Sequence, residues 1–550
     1  RTHLPSLAST ASAEAVEARD GKWVLKVRYL EFPSSWPFEK KARWHPKKKR
    51  MVFDIKFKVL PSLTERTMAV AEAFGLGIDH EQEFPIYEEF ELEVGPDDII
   101  YITGPSGSGK SVLLRALKAE LSGLWELADL NDVRVEHGKP IVDTLGKSLD
   151  EAIRLLSTAG LGDAFVWLRT YEELSDGQKY RYRLAKLLEK KAQMWVADEF
   201  CSTLDRDTAR IVAFGTQKMA RKLGKGLLVA TSHDDLFEDL GPSVFVRKGL
   251  GPEVEVRYYP NRTVEECSIM KEVEFELLPP SGDPAVRSAR REALELVEKW
   301  HYRGRRPPFK HVVVAKRGKR IIGAALLSWP YMHCWGRKHF FKRGLTGPEM
   351  NEWAWCVSRI VVHPLYRGIG LGRKLLSEAL RLSGKPYVEL VAVMARYNPF
   401  AERAGMIRVC EKEPDEKVEE ALRALEELGL DRRLLASERY VISRLSQLGP
   451  EGLRKVRDVL SKLGSPGLKR VLLRKADLAR LGWLRALEEA DLTQLARLIC
   501  VLASMASRKA YLIWRNPAIP YGSCPLDHLV RPEWHDKVFG RGGVGPGGGT

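Results

Sequence analysis

The sequence predicts an α/β multidomain protein that ends in a helical region. Three observations carry this expectation. At 550 residues the chain is too long for one hydrophobic core and fits two to four domains. Two stretches, 76–262 and 270–412, alternate short apolar strands with helices, the pattern of layered α/β domains, and each contains a glycine-rich loop between a strand and a helix. Residues 413–535 are instead rich in Leu, Ala, Arg and Glu, and breaks at Gly449-Pro450 and Ser465-Pro466-Gly467 punctuate them into helices. Residues 1–75 form a basic, strand-bearing extension, and the glycine-rich 536–550 reads as a disordered tail.

A hydrophobic fraction of 44% and a mean hydropathy of -0.26 suit a globular protein and argue against general disorder. No apolar run approaches the roughly 18–20 residues of a membrane helix. The longest candidate is Leu498–Ala506, and Arg1–Asp20 lacks the apolar centre of a secretory signal. The seven cysteines are scattered without zinc-ligand spacing, which predicts a cytoplasmic, reducing location. A net charge of +16 points to anionic partners: nucleic acid, nucleotides or CoA. A lysine-rich surface is the competing explanation.

In chain order, strand-like alternation comes first, in Trp23–Leu30 and Met51–Leu60. Between them, Trp36–Arg50 interleaves Trp36, Phe38 and Trp44 with a Lys47–Arg50 run. Rings of that kind stack on bases while cations meet phosphates, so this arm is the candidate RNA contact.

Ile99–Thr103 is a short apolar strand, followed by Gly104-Pro105-Ser106-Gly107-Ser108-Gly109-Lys110-Ser111 and a helix opening at Val112. This is a complete phosphate-binding P-loop in its strand–loop–helix context. Its glycines let backbone N–H groups curl around phosphate oxygens, and the helix dipole adds to the attraction. Lys110 is expected to reach the β- and γ-phosphates of ATP, and Ser111 to ligate Mg²⁺. A second apolar strand, Met194–Ala197, delivers Asp198 as a second Mg²⁺ holder and Glu199 to orient or deprotonate the attacking water.

Leu174-Ser175-Asp176-Gly177-Gln178 precedes a basic helix, Ser202-Thr203-Leu204-Asp205 follows the acidic pair, and His233 follows the strand Gly226–Thr231. In order and spacing, 84–235 resembles the ABC-type ATPases. The resemblance makes the first segment the signature loop, with Asp176 in place of a glycine, the second the D-loop and His233 the switch histidine. It further implies a head-to-tail homodimer in which Ser175, Gly177, Gln178 and Asp205 complete the ATP site of the opposite subunit. Phe200 departs from the transporter pattern, which has Pro there. The Q-loop region, Pro140–Thr144, offers only Asp143, and the adenine position offers only His80 or Phe84. A missing Q-loop favours an ATPase without a membrane partner.

A third long strand, Trp353–Val362, ends at His363-Pro364, and Tyr366-Arg367-Gly368-Ile369-Gly370-Leu371-Gly372-Arg373 opens the helix Lys374–Leu382. N–H groups of such a loop converge on one anion, with Arg367 and Arg373 adding charge. The pattern resembles motif A of the GNAT N-acetyltransferases. The flanks agree: a first helix in Ala285–Trp300, a hairpin of His311–Ala315 with Arg320–Ser328, a strand Tyr387–Val393 and a closing helix in Asn398–Met406. The resemblance implies a mixed-sheet GNAT domain over 270–412 after the P-loop ABC ATPase domain. Acetyl-CoA would lie along Ile360, Val361 and Val362, with its pyrophosphate on Arg367–Arg373, that is Gly368, Ile369, Gly370, Leu371 and Gly372, and with Asn398 beyond. Where many of these enzymes place a tyrosine acid the sequence has Ala401; Tyr397 is nearby but out of register. Glu352 is the candidate base and Glu389 its rival.

Gly452–Lys475 is a further basic stretch, read first as a solvated helix face and second as a nucleic-acid contact, and the basic His339–Arg343 would lie near the acceptor side of the GNAT domain. The expected protein is a cytoplasmic fusion of an ABC-type ATPase with a GNAT acyltransferase. It would acetylate an amine that the sequence does not name, with RNA or a nucleic-acid-bound protein as the leading acceptor. Such fusions resemble a group best known from archaea. The rival expectation is an ATP-switched nucleic-acid- or ribosome-associated factor whose GNAT domain binds CoA without catalysis.

Overall fold

The computed structural model describes residues 16–18, 21–29, 49–59, 62–77, 82–260, 262–301, 307–393, 399–463, 466–472, 482–506 and 508–539. The chain forms two compact units. The first comprises Arg1–Phe275 with Ala315–Gly323 and Val361–Gly372; the second comprises Glu276–Val314, Ala324–Ile360 and Arg373–Thr550.

Two sheets build the first unit. β1 (Val16–Ala18), β2 (Gly21–Tyr29), β3 (Lys49–Val59) and β4 (Gln82–Val94) make an antiparallel sheet in sequence order. Alternation in β3 puts Met51, Phe53 and Ile55 on one buried face, in a core shared with Leu113 and Leu117 of the helix Lys110–Ser122. Of the strands read as part of a separate 1–75 extension, β3 therefore pairs with β4 and packs on the nucleotide-binding core, and β2 pairs with β3. That core is a six-stranded sheet: β5 (Ile99–Thr103), β6 (Leu127–Asp129), β7 (Met194–Ala197), β8 (Gly226–Thr231), β9 (Val244–Lys248) and β10 (Val254–Tyr258), in the order β10-β9-β5-β8-β7-β6. All neighbours are parallel except β9 and β10. β5, β7 and β8 are buried along their whole length, as continuous apolar runs in a covered parallel sheet should be.

The other sheet has seven strands in the order β11-β12-β13-β14-β15-β17-β16: β11 (Val273–Leu278), β12 (His311–Arg317), β13 (Arg320–Ser328), β14 (Ala354–Val362), β15 (Tyr387–Ala392), β16 (Ile407–Lys412) and β17 (Lys509–Arg515). β14 and β15 run parallel and pair only over Ala354↔Tyr387, Trp355↔Val388 and Cys356↔Glu389. β17 lies between β15 and β16, antiparallel to both. The sheet thus extends beyond residue 412, the end expected from sequence. Helices from Glu416–Glu427 to Leu492–Met505 form an insertion between β16 and β17, with their own core of Leu422, Leu445, Leu460, Leu495 and Leu502. The apolar run Leu498–Ala506 lies mainly in the last of these helices, whose Leu498 and Ile499 are buried in that core. Among the described residues no helix is long and apolar enough to cross a membrane. The closing helix read over Asn398–Met406 is a single turn, Phe400–Arg403; Asn398, with Tyr397, lies outside the described residues.

Candidate nucleotide and acyl-transfer sites

The first glycine loop joins β5 to the helix Lys110–Ser122. Gly104, Gly107 and Gly109 have φ of 146°, 77° and 99°, conformations that L side chains rarely adopt. Packing restricts two of them further. A Cβ on Gly104 would lie 2.1 Å from the Lys248 carbonyl oxygen, and one on Gly109 would lie 2.6 Å from Ile86 Cγ2. Pro105, Ser106 and Gly107 are exposed, whereas Ser108 is buried and its Oγ has no hydrogen-bond partner among the protein atoms. Lys110 Nζ donates to the Pro105 carbonyl at 2.7 Å across the loop mouth, and partial burial holds its ammonium below the ordinary lysine range.

The parallel sheet sets β7 two strands from β5 and so brings the acidic pair to this loop. Ser111 Oγ donates to Asp198 Oδ1 at 3.0 Å. Glu199 is exposed and sits at φ 49°, left-handed for a residue with a side chain, a strain typical of functional turns. Phe200 is fully buried and its N–H donates to the Ala230 carbonyl at 2.8 Å, which pins the turn beneath Glu199. The His233 carbonyl accepts the Thr103 hydroxyl at 3.0 Å, and His233 Nε2 is buried without a partner. Orphaned Oγ and Nε2 atoms beside a loop of converging N–H groups are a donor set suited to phosphate oxygens.

Ser175 caps the helix Asp176–Leu188 in a capping box with Gln178, whose Oε1 accepts the Ser175 N–H at 3.1 Å. Ser175 and Asp176 are exposed. Gly177 carries the backbone inward, where Arg181 Nε donates to its carbonyl at 3.1 Å. Asp205 caps the helix Arg206–Leu223, accepting from Thr208 N at 3.0 Å. Of the weak Q-loop and adenine candidates, Asp143 is exposed in a 3-10 turn, Phe84 is half exposed and His80 lies outside the described residues.

The second glycine loop leaves β14 through Ile360, Val361 and Val362. Gly368 and Gly370 are exposed at φ 91° and 95°, while Ile369 and Leu371 between and after them are buried. That alternation anchors the loop by its apolar side chains and turns the glycine backbone outward. A Cβ on Gly370 would meet nothing within 4 Å, and one on Gly372 would touch only Val362 Cγ2 at 3.8 Å. The open backbone at the start of the helix Leu371–Leu382 suits a pyrophosphate. Arg373 is exposed, but Arg367 donates to the Val362 carbonyl at 2.9 Å and the Gly162 carbonyl at 2.7 Å, so it works first as a structural clamp.

The two carboxylates considered as bases differ sharply. Glu352 is exposed in the last turn of the helix Gly347–Trp353 rather than in a lead-in to the strand. Glu389 is buried: Arg337 grips it through Nε at 3.0 Å and Nη2 at 2.5 Å, and Tyr511 donates to it at 2.9 Å. Burial pushes the Tyr511 phenol well up, so it remains a donor. A carboxylate with three such partners is structural. Ala401 is buried as well. The basic stretches also spend charge internally: Arg343 pairs with Glu349 at 2.6 Å, and Arg457 donates to the Leu487 and Ala490 carbonyls. Of the N-terminal arm, Arg50 pairs with Glu91, while Trp36, Trp44, Lys47 and Lys48 lie outside the described residues. Sequence reasoning missed Arg337, Tyr511 and Arg181; only structure joins residues so far apart.

A P-loop core with an acidic pair at the end of the strand two places away, a capped signature helix and a separate glycine-loop acyltransferase sheet define a nucleotide-dependent enzyme of two catalytic folds. The model for the Acetyltransferase (GNAT) family matches residues 275–405. The cytochrome c biogenesis ATP-binding export protein CcmA of Ruegeria pomeroyi is 30% identical over 171 residues, covering 28% of this chain and 79% of that protein. The lipoprotein-releasing system ATP-binding protein LolD of Maricaulis maris is 28% identical over 195 residues, covering 28% and 82%. A solved dimeric ATP-binding cassette bound to ADP and Pi aligns at 17% identity and TM-score 0.27, covering 32% of this chain and 94% of that one. The chain belongs to the ABC-type ATPases and carries a GNAT acetyltransferase domain.

Proposed function

We propose that the protein hydrolyses ATP with Mg²⁺ in a head-to-tail homodimer and transfers the acetyl group of acetyl-CoA to an amine, acting in the cytoplasm on RNA or a nucleic-acid-bound protein. The observation that carries the first half is the 3.0 Å approach of Ser111 to Asp198 beside a loop in which packing leaves no room for a side chain at Gly104 or Gly109. Ser111 and Asp198 hold the Mg²⁺, the loop N–H groups with Lys110 and Ser108 hold the phosphates, and His233 steadies the γ-phosphate. Glu199 takes the proton of the attacking water. Ser175 and Gly177 of one protomer cap the nucleotide of its partner, which fits the exposure of Ser175. In the second half, the Gly368–Gly372 backbone receives the CoA pyrophosphate, and Glu352 draws the acceptor proton directly or through water.

Glu199→Gln keeps the shape of the site and removes the base. ATP binding is expected to persist and hydrolysis to fall by roughly 100- to 10,000-fold, with a trapped dimer accumulating in size-exclusion chromatography. Unchanged turnover removes Glu199 from the mechanism. A Ser175→Arg chain and a Lys110→Ala chain, each inactive alone, are expected to regain activity when mixed, because that pairing assembles one intact site; no recovery overturns the composite site.

One observation favours a second reading. Ala401 stands where a catalytic tyrosine is expected and Glu389 is locked in an ion pair, which leaves the acyltransferase sheet short of acid–base groups. In that reading the protein is an ATP-switched nucleic-acid- or ribosome-associated factor that binds CoA without catalysis. Incubation with acetyl-CoA and cellular RNA, peptides or polyamines, followed by mass spectrometry, separates the two: an acetylated product establishes transfer.

A further inference from the structure

The residues that enter the second glycine loop are held by the signature loop and the Asp205 segment through two independent routes, all inside the first unit. One starts at the signature loop. Arg181 donates from Nε to the Gly177 carbonyl at 3.1 Å and from Nη1 to the Gly160 carbonyl at 2.9 Å. Two residues on, the Gly162 carbonyl accepts Arg367 at 2.7 Å. The packing leaves no slack: a Cβ on Gly162 would lie 2.8 Å from Arg367 Cβ, and one on Gly368 would lie 3.1 Å from the Ser157 carbonyl oxygen.

The other starts at Asp205. Asp205 caps the helix whose first turn carries Asp207. Next to it, Arg206 donates to Asp235 at 2.8 Å, two residues beyond His233. Asp207 Oδ2 accepts both Arg317 Nη1 and the Tyr366 hydroxyl, the latter at 3.1 Å. Arg317 also donates to Glu272 at 2.6 Å, and Glu272 reaches back to Arg210 of the same helix at 3.5 Å. Both routes end on adjacent residues, Tyr366 and Arg367, immediately before the glycines. A loop gripped at its entry by two elements that the proposed function places against nucleotide cannot keep one geometry if those elements shift.

We propose that Asp207 is a positioning residue through which nucleotide occupancy sets the affinity of the Gly368–Gly372 loop for acetyl-CoA. This rests on the reading above that the loop binds acetyl-CoA and that the ATP site drives closure. By linkage, acetyl-CoA then alters ATP affinity by the same factor.

The test is calorimetric titration of acetyl-CoA into the full chain carrying Glu199→Gln, with and without Mg-ATP, and the reciprocal titration of ATP. The expected result is a Kd for acetyl-CoA that changes at least fivefold with ATP and an equal change in the reciprocal experiment. Adding Asp207→Asn, or Arg317→Ala as a second variant on the opposite partner, is expected to at least halve the change, the Arg181 route carrying the rest, while each ligand still binds when titrated alone. Asp207→Glu is expected to restore part of it. Acetyl-CoA binding that ignores ATP overturns the coupling and leaves the site reading intact. A change that survives undiminished in both variants overturns the role of Asp207. No acetyl-CoA binding in any state overturns the site reading and the inference with it.

Discussion

The two glycine loops receive anions by the same device and are built to different tolerances. In the P-loop, the protein's own packing already requires glycine: a Cβ at Gly104 collides with a backbone carbonyl at 2.1 Å, which cannot swing aside. In the second loop, a Cβ at Gly370 points into open space, and only its φ of 95° calls for glycine. Substitution in the first loop therefore perturbs fold and ligand together. Substitution at Gly370 meets no packing and strains only the backbone, which makes it the cleaner probe of function.

The largest effect that would break this contrast lies at Gly104. Gly104→Ala forces the loop off β9 and adds strain at φ 146°, so a loss of about 3 kcal/mol or more is expected, together with loss of ATP binding. Thermal melting and nucleotide titration check it, and a variant with wild-type melting would erase the distinction. Gly370→Asp sharpens the contrast from the other side. It places a negative charge where a pyrophosphate is expected, and acetyl-CoA affinity should fall by more than tenfold, about 1.4 kcal/mol, with a smaller fall in melting than Gly104→Ala because the φ of 95° is the only strain. Unaltered binding in calorimetry removes acetyl-CoA from this loop. The smallest expected effect concerns the N-terminal arm, whose RNA contact would be set by charge rather than by a shaped loop. Because Arg50 already pairs with Glu91, replacing Lys47, Lys48 and Lys49 by Ala should flatten the log–log salt dependence of RNA binding by roughly two units, at about 0.7–0.9 per phosphate. Absence of RNA binding at low salt assigns the charge to surface solvation.

The legible parts of this molecule are those whose physics is local. Both loops, their flanking strands and helices, and the Asp198-Glu199 pair are written in consecutive residues, because a left-handed turn needs glycine and a buried strand needs an apolar run. The unreadable parts are long-range pairings. Nothing near Glu389 announces that Arg337 and Tyr511 will neutralise it, and its charge alone made it resemble a base. Arg515 and Asp527 likewise form a buried pair at 2.8 Å, beside the Tyr387 hydroxyl at 2.6 Å, that ties a segment read as helical into the acyltransferase sheet. The strand character of Lys509–Arg515 was hidden by the helices before it.

That strand also imposes a timetable. β17 is an interior strand, hydrogen-bonded to β15 and β16 on either side, yet it is the last of the seven to emerge from a ribosome. At roughly 5–20 residues per second, the insertion between Lys412 and Lys509 keeps both neighbours waiting several seconds. For that interval β15 presents an unpaired ladder edge and β16, whose neighbour in the sheet is β17, waits without a partner strand; such edges are the template on which other chains aggregate. The insertion, with a core of its own, folds meanwhile as a separate body and delivers Lys509 back beside Lys412. Premature termination within the insertion would therefore leave a nascent chain with a finished ATPase and a gapped, adhesive sheet.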